Sequence, residues 1–252
     1  MVDEQFEGDR LDDERWIPHY LPQWRGRERS KARYRVLDGR LELTIEPDQE
    51  PWYPEVTGPM RVSSLQTGCF AGPLGSTIGQ HRTDERMWVV EEQPTRRLVT
   101  PDRGVVEMRA AWAPHADAMV ALWMIGFEDV PERSAEICVC EIFGSEVVDG
   151  RALIGMGVRP FGDPRLTDEF AKVAVDIHVD DWHSYATCWD GSTVTFWIDD
   201  EHVFEVGQSP TYPMQLMLNI YAFAEPSEAE EIPPFRVDRI RVWEPFEKDR
   251  QA

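Results

Sequence analysis

The stretch Ala135-Glu136-Ile137-Cys138-Val139-Cys140-Glu141-Ile142-Phe143-Gly144 decides how the rest of the chain is read. It is apolar and β-favouring, yet it holds two glutamates five positions apart. Side chains alternate along a regular strand, so Glu136 and Glu141 would face opposite ways. One extra residue, a β-bulge near Val139-Cys140, puts both on one face. Two carboxylates on one face of a buried strand are costly unless they have a task. Glycosidic bond cleavage is such a task, with one carboxylate as nucleophile and the other as acid/base. After the bulge the pair stands roughly 13 Å apart along a flat strand. A retaining pair needs about 5–5.5 Å. The reading therefore requires a curved sheet that leans the two side chains together.

Outward from that strand, β signals dominate. Residues 33–37 and 40–45 alternate around the turn Asp38-Gly39. Further strands are predicted over 105–112, 119–125, 184–189, 193–198, 203–206, 215–221 and 235–243. Short strands at this pitch mean a sandwich or jelly roll. No long amphipathic helix is visible, and residues 167–173 are predicted to form a short helical turn. Long loops run over 46–59, 68–86 and 224–234; the second carries Gln80-His81-Arg82. Long structureless loops in a compact domain are often functional. With no repeat and no linker, the 252 residues are expected to form one domain, 1–252.

Charge narrows the partners. The net charge is −21, which repels phosphate backbones, anionic membranes and acidic polysaccharides. Neutral polysaccharide or oligosaccharide remains compatible, and ten tryptophans suit sugar stacking as well as a sandwich core. No apolar run reaches membrane-spanning length. The start, Met1 to Glu7, lacks a basic region and an apolar region. The sequence as written is thus expected to be cytoplasmic, or secreted if a leader has been removed. Cys69, Cys138, Cys140 and Cys188 read as reduced thiols. Zinc is disfavoured, because Cys138 and Cys140 lack a fourth ligand and the usual spacing. The chain is expected to be a monomer.

The order of motifs resembles glycoside hydrolase family 16. Phe6 to Trp16 looks like that family's opening, and Arg103-Gly104-Val105-Val106-Glu107-Met108-Arg109-Ala110 like its Tyr-Gly-Arg-x-Glu-x-Arg-Ala strand. Ala121-Leu122-Trp123-Met124 looks like its tryptophan-bearing strand. Glu136 to Glu141 looks like its bulged E-x-D-x-x-E segment, in the laminarinase-like form. Residues 182–199 and 237–242 resemble its late hairpin and terminal strand. The resemblance implies an all-β fold, a concanavalin A-like β-sandwich jelly roll with two curved antiparallel sheets. It also implies a retaining hydrolase or transglycosylase on β-linked glucan, first of all β-1,3-glucan.

By position, Glu136 matches the nucleophile and Glu141 the acid/base. The family's middle aspartate, which normally hydrogen-bonds the nucleophile, is Cys138 here. A thiol is a weak donor that is mostly neutral near pH 7. A non-catalytic carbohydrate-binding jelly roll is therefore the alternative. The resemblance further assigns Trp123, Asn219, Tyr221 and His183 to substrate binding. Trp123 also reads as a core tryptophan, and His183 as a hydrogen-bonded structural histidine. No cofactor is required. Some family members hold a structural calcium, and Asp238 and the backbone of Gly39 match the places that bind it.

Overall fold

The structure is a computed structural model that describes residues 1–225 and 231–244. In chain order its elements are β1 (Val2–Glu4), α1 (Pro22–Ser30), β2 (Arg33–Leu37), β3 (Arg40–Thr44), α2 (Pro54–Thr57), β4 (Arg61–Gln66), β5 (Gly68–Cys69), β6 (Arg96–Arg97), β7 (Gly104–Ala111) and β8 (Ala118–Gly126). Strand β9 (Glu136–Val148) follows, then β10 (Arg151–Arg159), β11 (Glu169–Val175), β12 (His183–Trp189), β13 (Val194–Ile198), β14 (Glu201–Val206), β15 (Met214–Ala222) and β16 (Phe235–Trp243). Two antiparallel sheets stack as a concanavalin A-like jelly roll. The back sheet runs β14-β13-β12-β7-β16-β3-β2, with β1 on β16, and the front sheet runs β11-β10-β9-β8-β15-β4.

Alternation explains which face each strand buries. On β7, Val106, Met108 and Ala110 are buried inward, while Val105, Glu107 and Arg109 face outward. The central strands β8 and β15 are buried along their whole length. Both of their faces are covered, so they read as continuous apolar runs. Two apolar clusters result. One fills the space between the sheets and holds Ile137, Val139, Cys140 and Ile142. The other lies on the opposite face of the front sheet. There Tyr20, Trp24, Trp52 and Met87 pack against Ala121, Trp123, Cys138 and Tyr221.

Every predicted strand is present. The turn at Asp38-Gly39 has positive φ at both residues, 52° and 69°, as a type I′ hairpin requires. The helical turn expected over 167–173 is corrected: those residues enter β11, which pairs with β10 along seven positions. Strands β4 and β10 and the helix α1, kinked at Gly26, were not predicted. All four cysteines are free thiols. Part of the acidic loop 224–234 lies outside the described residues.

Candidate active site

The bulge lies where the sequence requires it. Across β8 and β9, Cys138 pairs with Trp123 but Cys140 pairs with Leu122, so Val139 is the extra residue. Val139 and Cys140 both enter the core between the sheets, while Cys138 packs on the outer face. Two consecutive inward residues reset the alternation, and Glu136, Cys138 and Glu141 all emerge on the outer face. A pocket of about 300 Å³ is lined there by Tyr20, His81, Met119, Ala121, Trp123, Glu136, Glu141, Arg159 and Tyr221.

Room for the second carboxylate comes from β10. Glu141 pairs with Gly155, and a Cβ at Gly155 would lie 2.5 Å from Cζ of Phe170 and 3.2 Å from Cβ of Glu141. Arg159 is the cross-strand partner of Glu136. Its guanidinium lies over the ring of Phe170, 3.8 Å from the centroid, and brings a cationic side chain to the pocket wall.

Burial dominates the electrostatics. It pushes the Glu136 carboxyl up to about 7; Arg159 opposes this, and Glu141 and Asp168 add to it. Glu141 is raised by burial too, against Arg159, the Cys138 thiol and Lys172. Burial and then the two glutamates hold the Cys138 thiol far above its ordinary value, so it is a neutral donor. Its Sγ–H points to Oε1 of Glu141 at 3.5 Å. The thiol thus serves the second carboxylate, whereas the family's aspartate at this position was expected to serve the first.

The neighbour of Glu136 is instead His81, whose Nδ1 lies 3.3 Å from Oε1. His81 arrives on the long loop 68–86, stacks on Phe161 and meets the edge of Trp123, each at 5.0 Å between centroids. Its backbone N–H donates to Oε1 of Glu128 at 2.7 Å. Burial pushes Glu128 up to about 8 and His81 down to about 4. Tyr20 and Tyr221 close the opposite side, edge to face at 5.8 Å.

The expected site residues divide as follows. Glu136, Cys138, Glu141, Trp123 and Tyr221 come together. Asn219 does not line the pocket; it is fully buried and its Oδ1 accepts from Nε1 of Trp123 at 2.7 Å, so it supports the tryptophan. His183 is corrected. It stands on β12 of the back sheet, held by Asp199 at 2.6 Å and by the His178 carbonyl at 3.0 Å. Asp238 pairs with Arg109, and Gly39 turns the β2–β3 hairpin. A carboxylate taken by a guanidinium does not suit calcium, and among the described residues no three His, Cys, Asp or Glu side chains converge on a metal-sized site. Tyr20, His81, Glu128 and Arg159 were not singled out from sequence. Only His81 left a trace there, through its loop.

Paired carboxylates on the open face of a jelly-roll sheet define the class of sandwich proteins that act on glycans. The chain belongs to glycosyl hydrolases family 16, whose model matches residues 84–235. It is similar to the GlcNAcα1-4Gal releasing endo-β-galactosidase from Clostridium perfringens, at 27% identity and a TM-score of 0.81. That likeness covers 97% of this chain and 62% of the other, so the chain spans under two thirds of that protein's length. A laminarinase from Flavobacterium sp. UMI-01 matches at 15% identity and a TM-score of 0.66, over 97% of this chain and 99% of the other. The endo-1,3-β-glucanase catalytic domain from Thermotoga petrophila RKU-1 matches at 16% and 0.62, over 97% and 96%. No curated protein sequence matches the chain.

Proposed function

We propose that this chain is a retaining, endo-acting β-glycosidase that works by double displacement. The observation that carries the reading is the bulge at Val139, which turns Glu136 and Glu141 into one pocket. A carboxylate oxygen of Glu136 attacks the anomeric carbon. The glycosidic C–O bond breaks as Glu141 gives its proton to the leaving oxygen. A water, or an acceptor sugar in transglycosylation, then loses its proton to Glu141 and attacks the same carbon. The ester to Glu136 breaks and the β-configuration is restored.

Each carboxyl needs the opposite protonation state at the start. Burial raises the proton affinity of both carboxyls, that of Glu136 to about 7, and Arg159 opposes the rise on each, so the two titrate as a coupled pair. Trp123 and Tyr221 offer aromatic surfaces against which a sugar ring packs.

The substrate is a neutral β-linked polysaccharide or oligosaccharide. A β-galactosidic linkage is our first choice, because the endo-β-galactosidase resembles this chain more strongly than either laminarinase. β-1,3-Glucan is the second. The test is release of reducing ends from β-galactan, laminarin, lichenan and mucin-type glycans, with Glu136→Gln as control. We expect cleavage of at least one, lost by about a thousandfold or more in the variant. Glycan affinity measured by calorimetry without any product would overturn the enzyme reading in favour of a binding module.

A further inference from the structure

The two ends of the pocket differ. At the Glu136 end stand Arg159 and His81, with Phe161 stacked on the imidazole. At the Glu141 end β9 and β15 carry the same outer face past the pocket. Alternation takes that face from Glu141 to Phe143 on one strand, and from Tyr221 to Phe223 on the other. Phe143 and Tyr221 are both cross-strand partners of Met119, which lines the pocket between them. Phe223 extends the pairing one step beyond β15, its N–H donating to the Asp117 carbonyl at 2.9 Å. We propose that Phe223 is the platform for the sugar on the leaving side of the cleaved bond, and for the acceptor sugar in transfer. The proposal rests on Glu141 being the acid/base.

A single exposed phenylalanine is ordinary on a protein surface. This one is 39% exposed and yet oriented by two other rings. Tyr221 lies 6.1 Å away between centroids with 9° between the planes, and Phe143 lies 6.0 Å away at 20°. Neither neighbour offers as much open surface. Tyr221 is buried, and Nζ of Lys172 lies over Phe143, 5.2 Å from its centroid. Lys172 is itself tied to Glu146. Phe223 is therefore the exposed member of an aromatic row that starts at the pocket. A ring whose orientation is set before the ligand arrives loses little freedom on binding, which is what a sugar platform requires.

The direction follows from the reaction. The acid gives its proton to the glycosidic oxygen, so that oxygen lies beside Glu141 and the leaving sugar lies beyond it. Phe143 stands two residues past Glu141 on the same strand and face, and Phe223 is stacked beside it. The ligand class is a neutral pyranose with an apolar face. The axial hydroxyl of galactose leaves the opposite face of its ring lined by C–H groups, and such a face packs flat on a phenyl ring. Phenylalanine brings no polar atom that the covering sugar would leave unsatisfied.

The test separates the leaving group from the donor. A glycosyl fluoride leaves as a single atom and needs no platform, so β-galactobiosyl and β-laminaribiosyl fluoride are compared with the polysaccharide that the native protein cleaves. We expect Phe223→Ala to lose about tenfold more kcat/KM on the polysaccharide than on the fluoride. Transfer from the fluoride to added galactobiose or laminaribiose should need about tenfold more acceptor. Phe223→Trp keeps a flat aromatic surface and should hold both ratios near native. Equal losses on fluoride and polysaccharide, or no loss on either, would overturn the proposal. Binding is read without turnover in Glu136→Gln labelled with ¹³C-phenylalanine, where galactobiose or laminaribiose should shift the ring signals of Phe223. Signals that neither sugar moves would also overturn it. Shifted signals in a protein whose native form cleaves nothing would sink the hydrolase reading and leave Phe223 as a sugar platform.

Discussion

At position 138 on β9, between the two glutamates, the side chain carries no charge. The thiol is buried and neutral, and donates to Glu141. Cys138→Ala removes that donor from the ionised form of Glu141. The alkaline limb of the kcat/KM profile should therefore move up by a fraction of a pH unit, with a small loss of stability, about 1 kcal/mol. Glu128 gives a separate test. Its carboxyl is raised from 4.5 to about 8 by burial, so between these values the native state holds a proton that the unfolded chain has lost. Its contribution is fully present below pH 4.5 and is lost as pH rises through about 8. Melting temperature should fall across that window in the native protein, and less steeply in Glu128→Gln. A pH-independent difference between the two would count against a protonated Glu128. Both partners were hidden in the sequence, because Glu128 and His81 lie 47 positions apart and meet only through the loop geometry.

At the scale of elements, the pocket depends on one surplus residue and one absent side chain. Deleting Val139 restores plain alternation and forces either Glu136 or Glu141 toward the core between the sheets. Activity should vanish and the protein should unfold at markedly lower denaturant, as circular dichroism would record. Gly155→Ala places a methyl against Phe170 and Glu141. It should cost about 1–3 kcal/mol from overpacking and reduce kcat more than it raises KM. The bulge was legible because E-x-C-x-x-E fits one face only with an insertion. Strand β10 was not, since Gly155 and Gly157 read as loop. In the fold the first makes room for Glu141, and the second sits at φ 141°, where a Cβ would lie 2.2 Å from the Glu169 carbonyl oxygen. Strand β11 was mistaken because it is an edge strand with no fully buried side chain, so no apolar core face marks it in the sequence. Strand β4 hid for the opposite reason. Its Ser63, Ser64 and Gln66 look like loop residues, yet all are buried, and Ser63 Oγ–H donates to the Thr44 carbonyl at 2.7 Å.

At the scale of the molecule, the net charge of −21 sets what can approach. Cleavage of a neutral glycan should be nearly insensitive to added salt, whereas a sulfated or uronic polymer should be degraded poorly at low ionic strength and better as salt screens the repulsion. A salt-dependent rate on the neutral substrate would contradict this. The sandwich itself was legible from its alternating runs, and so was the strand that carries the glutamates. The wall facing them was not, for it is assembled from irregular segments that carry no period. Tyr20 and His81 lie before residue 84, where the match to the family begins, and their apolar neighbours form a cluster separate from the one between the sheets. The pocket is thus split along the chain: Tyr20 and His81 come from before the match, while Met119, Trp123, Glu136, Glu141, Arg159 and Tyr221 come from within it. A lineage could reshape that early part of the wall without touching the paired glutamates, and a graft of residues 16–89 would let an engineer do the same.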